Sequence, residues 1–218
     1  MTGVYLRFVA EFYTALPFAV AFVHGDLARH AKREAGGVGA VLRRLRCLDR
    51  VSFRYFPLAP RERWIRRRAP QYHRWRKRGL HRQVHECWKR FLSFFGLAHR
   101  MEAWPGKTTV SLPCCAQFAV SRTNLRRYPR SAWAGAYRLL ASDPFSCAAT
   151  VKDHVGPWVR DRASDMDRSL GGGCMEHLHH VVFGGVEDGT PLPMDVPGAA
   201  AFRQCAQLEE GCCEAGGG

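Results

Sequence analysis

"CAQFAVSR", residues Cys115–Arg122, is an apolar run with one amide near its start and a Ser-Arg turn at its end. Read as a strand, it places Gln117 on one face and Phe118 and Val120 on the other. Ser121 then stands where an N-cap is needed for the helix that follows, "NLRRYPRSAWAGAYRLLAS", itself interrupted by Pro129. Upstream, "TTVSL" is also strand-like and breaks at Pro113. A strand that hands over to a capped helix fits a domain in which helices pack on a sheet.

The N-terminal part supports the same architecture. "VYLRFVAEFYTAL" sets Tyr5, Phe8, Val9, Phe12 and Leu16 at helical spacing, and Pro17 stops the helix. "FAVAFV" is apolar throughout and reads as a fully buried strand ending at His24-Gly25-Asp26. "GGVGAVLRRLRCL" is a short helix after glycines. "RVSFRYFPL" alternates, is rich in aromatics and stops at Pro57, so it reads as a strand. Helix, strand, helix, strand is the rhythm of an α/β domain with a partly parallel sheet.

Size and composition set the bounds. The chain has 218 residues, 46% of them apolar, enough for one domain with a sizeable core. The formal charge is +14, and Arg61–Arg90 alone holds twelve Lys or Arg against two Glu. Trp64, Tyr72, Trp75 and Trp88 are interleaved with these cations. The mixture suits a polyanion such as single-stranded nucleic acid, or an anionic membrane surface. "RWRKR" also fits a nuclear address. The plainer account is a solvated, basic insert on a nearly neutral domain. Inside this region, Val84, Cys87, Trp88, Phe91, Leu92 and Phe95 form a helical stripe.

Nine cysteines stand at positions 47, 87, 114, 115, 147, 174, 205, 212 and 213, with no C-x-x-C pair. The spacing is not that of a zinc site and does not read as a disulfide framework, so the redox compartment stays open. The strongest apolar run, Ala15–Val23, is too short to cross a bilayer. Residues 143–172 read as a loop insert, and 185–218, rich in Gly, Pro and Ala, as a disordered tail.

Three constellations bear on chemistry. His24 and Asp26 follow a buried strand, where α/β sheets bind ligands, and two residues apart they point the same way. His30 lies close behind. The alternative is a capped turn with Asp26 as N-cap. Gln117, once buried, needs hydrogen-bond partners, which either a sugar hydroxyl or a neighbouring backbone supplies. Arg122 is either a diphosphate ligand or a surface arginine. The third is "CMEHLHHVVFGG", Cys174–Gly185. As a helix it sets Glu176 and His180 at i, i+4 on one face, within reach of a carboxylate–imidazole hydrogen bond suited to a general base. The competing account is a helix C-terminus whose histidines favour the negative dipole end, which covers His179 but not Glu176. No zinc motif is present, and no metal ligands are assigned.

Three stretches, "VYLRFVAEFYTALPFAVAFVHGDLARH", "CCAQFAVSRTNLRRYPRSAW" and Glu176-x-x-x-His180 with "VVFG", together resemble the domain of unknown function 3431 family. The resemblance runs from about Val4 to Gly184 as one α/β domain, with poorly matching inserts at about 61–106 and 143–172. The family is similar in organisation to nucleotide-sugar glycosyltransferases of the A-type fold. That implies an incomplete three-layer sandwich, a sugar nucleotide as partner and a divalent metal as the cofactor in question, although His24 in place of a carboxylate suits a softer metal or none. The chain departs from the family in starting at the first helix, so the first strand is expected to be missing, as in a fragment or an inactive form. It also has His179 where the family usually has Trp. The resemblance implies Glu176 and His180 as catalytic residues. Nucleic-acid binding through 61–90 is the alternative function.

Overall fold

The computed structural model describes residues 2–23, 25–28, 37–46, 48, 54–58, 64–65, 81–101, 112–113, 117–142, 147, 178–179 and 181–183. Helix and strand are mixed, as an α/β composition requires. The chain divides into two compact units, each assembled from three stretches of sequence.

The first unit comprises Met1–Ala15, Arg67–Val110 and Tyr128–His179. Among its described residues it is helical: α1 (Thr2–Glu11), a 3-10 turn at Tyr13–Ala15, α3 (His81–Ser93), a 3-10 turn at Ala98–Arg100 and α5 (Arg130–Ser142). In α3 the expected stripe is the buried one: Val84, Cys87, Trp88, Phe91 and Leu92 are all buried, as is Phe95 just beyond the helix. In α1 the buried face differs from the expected one. It is Leu6, Val9 and Ala10, while Phe12 is exposed. The reason is helix geometry: the Phe12 amide still donates to the Phe8 carbonyl at 3.0 Å and its ring lies 5.0 Å from that of Phe8, so it follows the Phe8 side of the helix, away from the face of Leu6, Val9 and Ala10.

Edge-to-face rings join the helices. Phe95 packs against Tyr128 (4.9 Å between centroids) and Trp133 (5.0 Å), and Phe91 against Phe95 (5.4 Å). The Arg130 guanidinium Nε donates to the Ala10 carbonyl at 2.8 Å, satisfying one of the open carbonyls at the end of α1. Cys87 and Cys147 are joined in a disulfide, both fully buried. The cysteine spacing did not suggest it, because partners separated by 60 residues leave no local signature. Cys114–Cys115 and Cys212–Cys213 lie outside the described residues.

The second unit comprises Leu16–Arg66, Ser111–Arg127 and His180–Gly218. It contains β1 (Ala19–Phe22), α2 (Val38–Arg46), β2 (Tyr55–Pro57), β3 (Trp64–Ile65), β4 (Leu112–Pro113), β5 (Phe118–Ser121) and the short α4 (Arg122–Leu125). β3 and β4 form a separate two-residue ladder. The main sheet has the order β1-β5-β2, and β5 is antiparallel to both neighbours. β1 and β2 therefore run in the same direction, joined through α2, with β5 inserted between them. The partly parallel sheet expected from the helix–strand rhythm is not what forms: among the described residues every strand pair is antiparallel, because β5 comes between β1 and β2.

Position in the sheet explains burial. Central β5 is buried at all four residues, whereas edge strand β1 leaves Ala21 exposed, so β1 is not the fully buried strand its composition suggests. One face of the sheet carries Phe56 and Ala119 against Val41 of α2, with Leu48 and Leu58. On the other, Phe118 meets Phe22 (5.2 Å between centroids) and Phe183 (5.0 Å). No helix among the described residues is long and apolar enough to cross a membrane. The expected tail at 185–218 and nearly all of the loop insert at 143–172 lie outside the described residues.

Candidate functional site

The second unit fixes one end of its sheet firmly. β1 pairs Phe22 with Phe118, so the carboxyl end of β1 meets the amino end of β5. β2 pairs Pro57 with Phe118, and the Leu58 amide donates to the Gln117 carbonyl at 2.9 Å. The carboxyl ends of both β1 and β2 are thus brought to the same edge, with Gln117 between them.

Asp26 follows directly. Val23 and Leu27 pack against the core cluster around Phe56 and Ala119. These two apolar anchors bracket Gly25 and Asp26, which stay exposed in the bend between them. The side chain of Asp26 is therefore presented at the carboxyl end of β1 by a turn pinned on both sides. Gln117, 1% exposed, enters the same end from β5. It lies on the α2 face with Ala119, as period two demands, opposite Phe118 and Val120.

Arg122 stands at the other end. Ala19 pairs with Ser121, the Arg122 amide donates to the Phe18 carbonyl at 2.8 Å, and its guanidinium reaches the Leu16 carbonyl at 3.3 Å. The register separates it from Asp26 by the length of β1, about 10 Å for three residue steps. The structure brings Gln117 and Asp26 to one edge and leaves Arg122 at the opposite one. Ser121 caps α4 as its place in the sequence predicts: its hydroxyl accepts from the Asn124 amide at 3.3 Å.

His24, His30, Glu176 and His180 lie outside the described residues. Their neighbours are placed. Leu178 and His179 are helical and buried in the first unit. His179 is 1% exposed, so it does not stand at an exposed helix end.

Val181–Phe183 is helical and buried in the second unit. The Phe183 ring lies on Phe22 (5.4 Å) and Phe118 (5.0 Å), the residues that end β1 and begin β5. Asn124 Nδ2 donates to the Phe183 carbonyl, and the Arg127 guanidinium to the Val182 carbonyl at 3.2 Å. These anchors were not singled out in the sequence. The available signal was Asn124, a polar residue inside the capped turn beside the apolar Leu125.

Burial keeps two phenols protonated. It lifts Tyr5 to about 12 and Tyr55, whose ring lies 5.4 Å from that of Phe118, well above the ordinary tyrosine value. Among the described residues no three His, Cys, Asp or Glu side chains group as metal ligands.

No curated protein and no solved structure matches the chain significantly. The family model described as protein of unknown function (DUF3431) matches residues 2–214. With nearly the whole chain inside that match, the protein belongs to the DUF3431 family.

Proposed function

We propose that this protein is a sugar-nucleotide-dependent transferase whose donor binds at the carboxyl ends of β1 and β2. The observation that carries the reading is the shared direction of β1 and β2, with Asp26 displayed where β1 ends. Ligands of α/β sheets bind at such strand ends. Asp26 accepts hydrogen bonds from ribose or sugar hydroxyls, His24 and His30 flank it in sequence, and Gln117 serves the same edge. Arg122, at the far end of β5, takes no part in donor binding in this reading.

Glu176 and His180, paired by their i, i+4 spacing and by family resemblance, supply the base. The imidazole takes the proton of the acceptor hydroxyl, with the carboxylate orienting it. The acceptor oxygen bonds to the anomeric carbon, the bond from that carbon to the diphosphate breaks, and the nucleoside diphosphate leaves with the electron pair. Phe183 follows His180 by three residue steps, a span of at most about 11 Å. What supports this assignment is that Phe183, a little further along the chain, lies on Phe22 and Phe118 where β1 ends and β5 begins.

Turnover with a panel of sugar nucleotides tests it. Wild type transfers or hydrolyses at least one donor, and His180→Ala and Glu176→Ala each lower kcat by about 10²–10⁴-fold without changing the melting curve. No turnover by the natural full-length protein with any donor removes the proposal. The second reading, polyanion binding through Arg61–Arg90, draws on the exposed Arg82 and Arg90 of α3. It requires salt-dependent binding of single-stranded RNA that is lost in Arg66→Gln/Arg67→Gln/Arg68→Gln.

A further inference from the structure

We infer that Cys87–Cys147 is a structural disulfide installed during folding, and that the chain matures in an oxidising compartment, the secretory lumen or beyond. Three observations carry this. The two Cα atoms stand 5.2 Å apart, inside the range a disulfide spans without backbone movement. Both residues are 0% exposed. The bond ties the middle of α3 to the segment after α5, two elements of the helical unit, and closes a loop of 60 residues.

Burial separates a structural bond from a redox switch. Exchange needs a thiolate to approach one sulfur in line, and a sulfur with no exposed surface in the folded state denies that approach. The bond must therefore form before the unit closes. One thiolate attacks the disulfide of an oxidant of the thiol–disulfide oxidoreductase class, giving a mixed disulfide, and the second thiolate displaces it. The oxidant's S–S bond and two cysteine S–H bonds break. The Cys87–Cys147 bond and two S–H bonds on the oxidant form, so two electrons pass to the oxidant. The reducing cytosol opposes this step, whereas an extracytosolic compartment drives it.

The test compares the natural chain secreted from a eukaryotic cell with the same chain made in a reducing cytosol. Free thiols are blocked with N-ethylmaleimide under denaturing conditions before and after reduction, and peptides are mapped by mass. In the secreted protein Cys87 and Cys147 are blocked only after reduction and are recovered as one linked peptide. That linkage survives millimolar glutathione under native conditions. Cys87→Ala/Cys147→Ala melts about 10 °C lower. Where that variant does not fold, the cytosolic thiol form of the wild type supplies the comparison and shows the same fall. Blocking of both cysteines in the secreted protein without prior reduction overturns the proposal. So does an identical melting temperature for the thiol and disulfide forms. Loss of the linkage in native glutathione overturns the structural assignment in favour of a switch.

Discussion

Asn124 is held twice, by a hydrogen bond from its backbone amide to Ser121 Oγ and by one from its amide side chain to the Phe183 carbonyl. Removing the side chain leaves a buried carbonyl without that donor, which costs about 1–3 kcal/mol. Asn124→Ala is accordingly expected to lower the unfolding free energy measured in urea by that amount. It should also lower turnover, since it loosens the segment that follows His180. Ser121→Ala removes only the cap, about 1 kcal/mol, and serves as the comparison. Tyr5 gives a pH dependence with a definite sign. Its folded value, about 12, lies above the ordinary 10.0 because burial penalises the phenolate. Between those values the unfolded chain loses the proton and the folded chain keeps it, so stability is complete below pH 10 and falls as pH rises toward 12. Tyr55 acts in the same direction. Denaturant unfolding followed upward from about pH 10 should fall less steeply in Tyr5→Phe than in the wild type; equal slopes contradict the assignment.

At the scale of the element, α3 and β5 show what a sequence can specify locally. The α3 stripe was readable because five of its apolar residues recur at helical spacing and all of them are buried. Its end is equally local. Leu97 N donates to the Leu92 carbonyl at 2.9 Å and Gly96 N to the Ser93 carbonyl at 3.1 Å, with Gly96 at a φ of 69°. This is the Schellman arrangement, which needs a residue tolerant of left-handed backbone. Gly96→Ala should cost about 1–2 kcal/mol, measured by chemical denaturation. Gly135, inside α5, reads as a weak helix position, yet a Cβ there would lie 2.4 Å from the Phe94 ring. Gly135→Ala is therefore expected not to yield the gain of about 1 kcal/mol that an open helical site gives, and to yield it in a Phe94→Ala background. The buried face of α1 was less legible. Phe12 carries the same apolar signal as Val9, yet it lies on the Phe8 side of the helix, and packing chose the Leu6, Val9 and Ala10 side instead.

At the scale of the whole molecule, what sequence could not supply is pairing between distant stretches. Nothing in "FAVAFV" or "RVSFRYFPL" states that β5, some sixty residues beyond β2, lies between them. Nor does any local feature join Cys87 to Cys147. Closing that loop removes unfolded-chain entropy worth about 4 kcal/mol, a non-local contribution of the kind composition does not reveal. The same long-range pairing separates two candidate ligand residues that look like neighbours in a list of polar positions. It sets Asp26 and Gln117 at one edge and Arg122 at the other. Calorimetric titration with the panel of sugar nucleotides tests this division directly. The account predicts that a donor bound by the wild type loses at least about tenfold in affinity with Asp26→Ala, while Arg122→Ala stays within about twofold. Undiminished binding by Asp26→Ala, together with loss in Arg122→Ala, would contradict it.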